Sequence, residues 1–169
     1  VVPAVAILAQ VPLEDIVSMA CVAPFLGDGE VDLGGARNDL SGLVELLKSL
    51  KARSVTFTEV NYVVNWWEIN GVWVPLKHHG VVLFGKPGDH VLTLDFSRHG
   101  IVWDYGSEAP ENPDHVTVDQ TLAISADPLD VAEYCRQTGE FDFFRNNCSL
   151  WTRGLLVKVF KLEESCIED

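Results

Sequence analysis

Cys148 and His78 are the residues of this chain whose types and settings suit chemistry. Cys148 lies in the run Phe143-Phe144-Arg145-Asn146-Asn147-Cys148-Ser149-Leu150-Trp151. A polar Asn-Asn turn precedes the thiol, and an apolar stretch from Leu150 to Leu162 follows it and predicts a buried helix. The thiol therefore falls on the first turn of that helix, where backbone N–H groups and the positive end of the helix dipole favour a thiolate. A nucleophilic thiolate needs a base within hydrogen-bond reach and donors facing the developing oxyanion. The Cys148 backbone N–H is a natural donor of this kind. A histidine pair, His78-His79, opens the apolar run Gly80-Val81-Val82-Leu83-Phe84, 70 residues upstream (148 − 78). Side chains alternate on a strand, so at most one histidine of the pair faces the thiol. His78 shares a face with Gly80, Val82 and Phe84, and His79 with Val81 and Leu83. Spacing alone does not choose between them. The competing reading of Cys148 is an ordinary buried cysteine.

The elements that must position these groups follow from periodicity and turn chemistry. Leu40, Leu43, Val44, Leu47 and Leu50 recur at helical spacing behind Asp39, a candidate N-cap, and predict a helix over 40–52. The pattern then alternates. Val55–Val60 reads as a half-buried strand. Asn70-Gly71 is a hairpin signal between 65–69 and 72–76. Lys86-Pro87-Gly88-Asp89 turns between Gly80–Phe84 and His90–Phe96, and Arg98-His99-Gly100 leads into Ile101–Tyr105. The centre is thus an antiparallel meander of about five strands. Residues 106–119, with Gly106, Pro110, Pro113 and several acidic residues, predict a mobile connection. Asp127-Pro128 starts a second helix, which Gly139 stops. Phe141–Phe144 is a short strand or extended lead-in to the cysteine. The sum is one α+β domain over 1–169: an N-terminal helical part (1–53), the meander (54–105), and a loop with two further helices (106–169).

Composition narrows the partners. A formal charge of −13 without a basic stripe argues against nucleic acid and against anionic membrane surfaces. Hydrophobic residues make up 47% of the chain, which argues against disorder. Residues 1–13 are too short and too broken by Pro3 and Pro12 to span a bilayer. The start at Val1 is expected of a processed product or an excised domain. Cys21, Cys135, Cys148 and Cys166 show neither a Cys-x-x-Cys pair nor zinc-ligand spacing, so neither a metal nor any other cofactor is expected. The Gly/Asp-rich run 27–39 departs from a calcium loop at Leu33 and Asp39 and reads as a solvated loop. Asn147-Cys148-Ser149 is formally a glycosylation sequon, and a glycan there would block the thiol. An intracellular site, or a host cytoplasm for a viral or effector protein, is therefore expected. His99 and His115 sit in polar surroundings and read as exposed. Trp66, Trp67, Trp73 and Trp103 read as sheet packing, or alternatively as the lining of an apolar groove.

His78-His79-Gly80-Val81-Val82-Leu83-Phe84-Gly85 and Asn146-Asn147-Cys148-Ser149-Leu150-Trp151 together resemble the His box and Asn-Cys box of the circularly permuted, NlpC-like papain relatives. These include the lecithin-retinol-acyltransferase-like proteins and the PPPDE deconjugating peptidases. The resemblance covers roughly residues 72–162. It implies a permuted papain-like fold, with Cys148 as nucleophile and His78 as base. In the acyltransferases a second histidine lies about a dozen residues after the first, which points to His90 as the third catalytic residue. Asp95 competes for that role, and the PPPDE group manages with a dyad. Ser149-Leu150-Trp151 differs from the Glu-His-Phe usual after the acyltransferase cysteine, which tilts the expectation toward peptide or isopeptide bonds. The implied function is a cysteine-dependent hydrolase or acyltransferase working through a thioester on a peptide, a protein conjugate or an acyl substrate. The alternative is a catalytically silent interaction module of the same fold.

Overall fold

A computed structural model of the chain describes residues 37–69, 72–106, 116–142 and 144–167. Cys21, His115, the N-terminal run 1–13 and nearly all of the Gly/Asp-rich run lie outside these residues. So do the Asn70-Gly71 turn and the side chains of Trp66, Trp67 and Trp73. The described elements run α1 (Leu40–Ala52), β1 (Thr56–Ile69), β2 (Val72–Lys86), β3 (His90–Ser97), β4 (Gly100–Gly106), β5 (Val116–Ala126), α2 (Pro128–Arg136) and α3 (Cys148–Gly154). A π-helical turn, Leu155–Val159, continues α3, and a short 3-10 turn, Glu164–Cys166, follows. The architecture is α+β: a five-stranded antiparallel open sheet of order β4-β3-β2-β1-β5, with helices packed against it.

The sheet has five strands, as many as expected, but they are longer than the segments the sequence marks. The segments before and after residue 60 merge into β1, and those on either side of His78 merge into β2. Bulges make this length compatible with one buried face. A shift between Phe57 and Glu59 brings Phe57 and Val60, three residues apart, into the same core. A second shift leaves Pro75 and Leu76 without partners opposite Trp66 and Trp67. Proline has no N–H for the ladder, so a bulge is where it fits. β5 is a further departure: residues 116–119, expected in a mobile connection, belong to a strand that pairs with β1 from Asn65↔Val116 to Phe57↔Ala126.

The core lies between α1, α2, α3 and the sheet. Leu43, Val44, Leu47 and Leu50 of α1 are buried against Val131, Ala132 and Cys135 of α2 and against Val60, Leu83, Leu92 and Leu94. Each buried leucine or valine among them contributes roughly 1.5–3 kcal/mol relative to exposure. Lys51 at the end of α1 forms an ion pair with Asp127 at the start of α2. Asp127 also caps α2, accepting from the Leu129 N–H at 2.9 Å. Asp39 stands at the N-cap position of α1, but its side chain makes no capping bond. Arg37 takes it in a two-pronged pair at 2.9 and 2.7 Å, because that guanidinium is held nearby by backbone bonds between Arg37 and Trp103. Trp103 is buried in the sheet, as its strand setting predicts, with its indole N–H donating to the Asp39 carbonyl.

Candidate functional site

The segment leading into α3 is tied to itself. Asp142 and Asn146 exchange two backbone bonds, at 2.9 and 2.7 Å. The Asp142 carboxylate accepts from the Phe144 and Arg145 N–H groups, and the Asn146 side chain donates to the Glu140 carbonyl. This is a tight turn with one bridge, where a short strand or extended lead-in is expected over 141–144. Asn147 then has extended backbone, and its side-chain oxygen accepts from the Leu150 N–H at 3.0 Å, an N-cap that starts α3 at Cys148. The sequon asparagine therefore spends its side chain on the helix.

Trp151, one turn along, anchors α3. Its ring is tilted against Phe96 and Tyr134, with centroids 5.8 and 5.6 Å away, and its N–H donates to Thr138 at 2.8 Å. The Tyr134 hydroxyl donates to the Trp151 carbonyl at 2.7 Å. Gly154 makes that bond possible, since a Cβ there would stand 2.3 Å from the Tyr134 oxygen. The regular α-helical pattern stops at this glycine and wider π-type bonding follows, so the predicted single helix to Leu162 is interrupted.

Cys148 is 5% exposed and packs against Phe141. His78, on β2, is 2% exposed. Its Nε2 lies 3.5 Å from Asp95 Oδ1 on β3. Gly80, directly across the ladder from Asp95, is what lets the carboxylate stand there. A Cβ on residue 80 would meet Asp95 Cβ at 3.2 Å and the Leu94 carbonyl at 3.0 Å. The glycine two residues after the histidine thus has a steric reason. At 3.5 Å the pair is an ionic contact, and both ring nitrogens of His78 and Asp95 Oδ1 are buried with no hydrogen bond fully formed. An approach of about half an ångström would make it a charge-assisted bond; catalytic hydrogen bonds are commonly long in resting sites and tighten on substrate binding.

The electrostatics set the protonation of His78. Burial alone pushes the imidazole toward neutrality and is the largest influence. The Asp95 charge, followed by the Cys148 sulfur, works against it and prevails, raising the pKa to about 10. At neutral pH His78 is an imidazolium between a carboxylate and a sulfur. Cys135 offers the contrast: buried in α2, with burial alone pushing its thiol up to about 12. Cys166 is exposed near the C-terminal end of the described chain.

The histidine pair divides as alternation requires. His79 turns to Tyr62, with its Nδ1 bonded to the tyrosine hydroxyl and the rings stacked at 5.7 Å. His90 is not brought to Cys148. It lies opposite Gly85, its Nδ1 2.8 Å from the Tyr105 hydroxyl and its ring beside Arg53. Asp95 is five residues further along β3, roughly 17 Å at the usual rise per residue. The four-residue Lys86–Asp89 turn fixes this register, so counting twelve residues from His78 lands at the far end of the hairpin and the residue beside His78 is Asp95. A groove of about 330 Å³ lined by Thr58, Glu59, Phe84, Lys86, Asp89 and His90 lies at that far end too. His99 is exposed in its turn.

No family model, no curated protein and no solved structure matches this chain. Among the described residues no group of three or more His, Cys, Asp or Glu is arranged to hold a metal ion, and no helix is long and apolar enough to cross a membrane.

Proposed function

We propose that the protein is a cysteine-dependent hydrolase or acyltransferase of permuted papain-like type, with Cys148 as nucleophile, His78 as acid and base, and Asp95 holding His78. One observation carries this reading: a buried histidine with a carboxylate 3.5 Å away on one side and, on the other, the cysteine that opens a capped helix. Nε2 of His78 faces Asp95, which leaves Nδ1 for the sulfur. The Cys148 thiolate attacks the substrate carbonyl carbon, and the C=O π electrons move to oxygen, opposite the N–H donors of the first helical turn. As the tetrahedral species collapses, the bond to the leaving nitrogen or oxygen breaks, and that atom takes the His78 proton. The thioester is then cleaved by water or an acceptor nucleophile, whose proton returns to His78 as the sulfur leaves as thiolate. The departure at Ser149-Leu150-Trp151 favours peptide or isopeptide bonds. An intracellular site of action goes with this reading, since Asn147 is needed as a cap and a glycan would cover Cys148.

The second reading, a silent interaction module, is favoured by the near-complete burial of Cys148 and His78. Iodoacetamide at pH 6–7 with mapped adducts separates the two. The enzyme reading expects selective alkylation of Cys148, lost in His78→Ala and kept in His79→Ala. Equal, slow labelling of all four cysteines would sink it.

A further inference from the structure

The apolar surface around Cys148 points to the acyl side of the substrate. Among the described residues the exposed large hydrophobics are Leu40, Leu129, Phe144 and Leu150, and the last two flank Cys148. Phe144 is 77% exposed, yet the turn that carries it is closed by the Asp142 and Asn146 bonds. Its backbone is ordered before anything binds, so covering the ring costs little conformational entropy. Phe141, at the base of the same turn, packs on Cys148 and on Phe96 while keeping part of its surface open. Cys148 is four residues from Phe144, which bounds their separation at about 14 Å of extended chain, and the closed turn shortens it. Phe141 therefore walls the nucleophile, and Phe144 lies exposed within that distance of it. Exposed Asp142, Arg145 and Glu140 border this surface.

We infer that Phe141 and Phe144 form the acyl-side subsite of the proposed enzyme and select peptides whose scissile carbonyl belongs to a bulky apolar residue, disfavouring glycine-ended tails. The inference rests on the reading of Cys148 as nucleophile. The test compares three electrophiles on the intact protein, with the rate of adduct formation at Cys148 followed by mass: acetyl-Leu-Phe chloromethyl ketone, acetyl-Gly-Gly chloromethyl ketone and iodoacetamide. Corrected for intrinsic reactivity, the Leu-Phe ketone should react about tenfold faster than the Gly-Gly ketone, the scale set by filling an apolar pocket. In Phe144→Ala the ratio of Leu-Phe ketone to iodoacetamide rates should fall several-fold. Equal ketone rates, or an unchanged ratio in Phe144→Ala, with Cys148 still selectively alkylated by iodoacetamide, would overturn the subsite and leave the nucleophile standing. A decyl chloromethyl ketone outpacing the Leu-Phe ketone would overturn the peptide in favour of a lipid acyl group. Absence of selective iodoacetamide labelling of Cys148 overturns the nucleophile and the subsite with it.

Discussion

Asp95→Asn removes one charge from the candidate site with almost no change of shape. The wild-type carboxylate lies 3.5 Å from His78 Nε2. At an effective dielectric constant of about 20, unit charges at that separation attract by roughly 5 kcal/mol. At 1.36 kcal/mol per pKa unit, this corresponds to roughly 3.5 units. Burial, the largest influence on His78, continues to press it toward the neutral form. His78 should therefore fall from about 10 to neutrality or below. At pH 7 the wild-type ring is almost fully charged, whereas the variant ring should be about half charged or less, given that drop. Long-range ¹H–¹⁵N spectra of the imidazole nitrogens, recorded from pH 5 to 11, read this directly. The pH dependence of Cys148 alkylation reads its consequence: with the imidazolium largely gone, the rate at pH 7 should drop roughly two- to fourfold, in step with the lost charge. The near-isosteric amide keeps the shape but loses the stabilisation that goes with the raised His78 pKa, so the thermal midpoint at pH 7 should fall, and far-UV circular dichroism is the control for the fold. If His78 in Asp95→Asn stays charged above pH 9, then Asp95 is not what holds the proton and the reasoning fails.

Three more predictions follow from the same geometry. The raised pKa of His78 ties stability to pH: the folded value, about 10, lies above the unfolded value of 6.5, so the stabilisation is complete below pH 6.5 and lost as pH rises through 10. Denaturant unfolding should lose on the order of 4 kcal/mol between pH 7 and 10, and His78→Gln should flatten that slope. Gly80→Ala should push Asp95 away from His78, costing about 1–3 kcal/mol of stability by overpacking and slowing Cys148 alkylation at neutral pH, measured by melting and adduct mass. Gly154→Ala collides with the Tyr134 hydroxyl and should destabilise by about 1–3 kcal/mol, whereas Tyr134→Phe costs about 1 kcal/mol for its hydrogen bond. The double variant should be more stable than the sum of the two, a coupling that a denaturation cycle measures.

Much of the local structure was legible because a local cause decides it. The leucine spacing of 40–52 and the Asp127-Pro128 start depend on residues within one helical turn, and both helices begin where those signals stand. Asn147 caps the helix of Cys148 for the same reason. What escaped was set across longer distances. Asp39 reads as a cap, but Arg37, fixed through Trp103, competes for its carboxylate. β5 hides behind Pro110 and Pro113, although Leu122 and Ile124 alternate with Thr121, Ala123 and Ser125, and that alternation was the signal to follow. The choice between His90 and Asp95 depended on hairpin register. The sign that would have settled it was Gly80, because a glycine within a strand marks a close neighbour across the ladder.

The 70-residue separation of His78 and Cys148 has a consequence for the order of events when the chain folds. The β2–β3 hairpin can form from local contacts and bring Asp95 to His78 early, but α3 must close a long loop before its sulfur meets them. Until that docking, Cys148 has no imidazolium beside it. On the mechanism proposed above, reactivity would arrive only with that docking, and a partly folded chain would carry Cys148 in a dormant state.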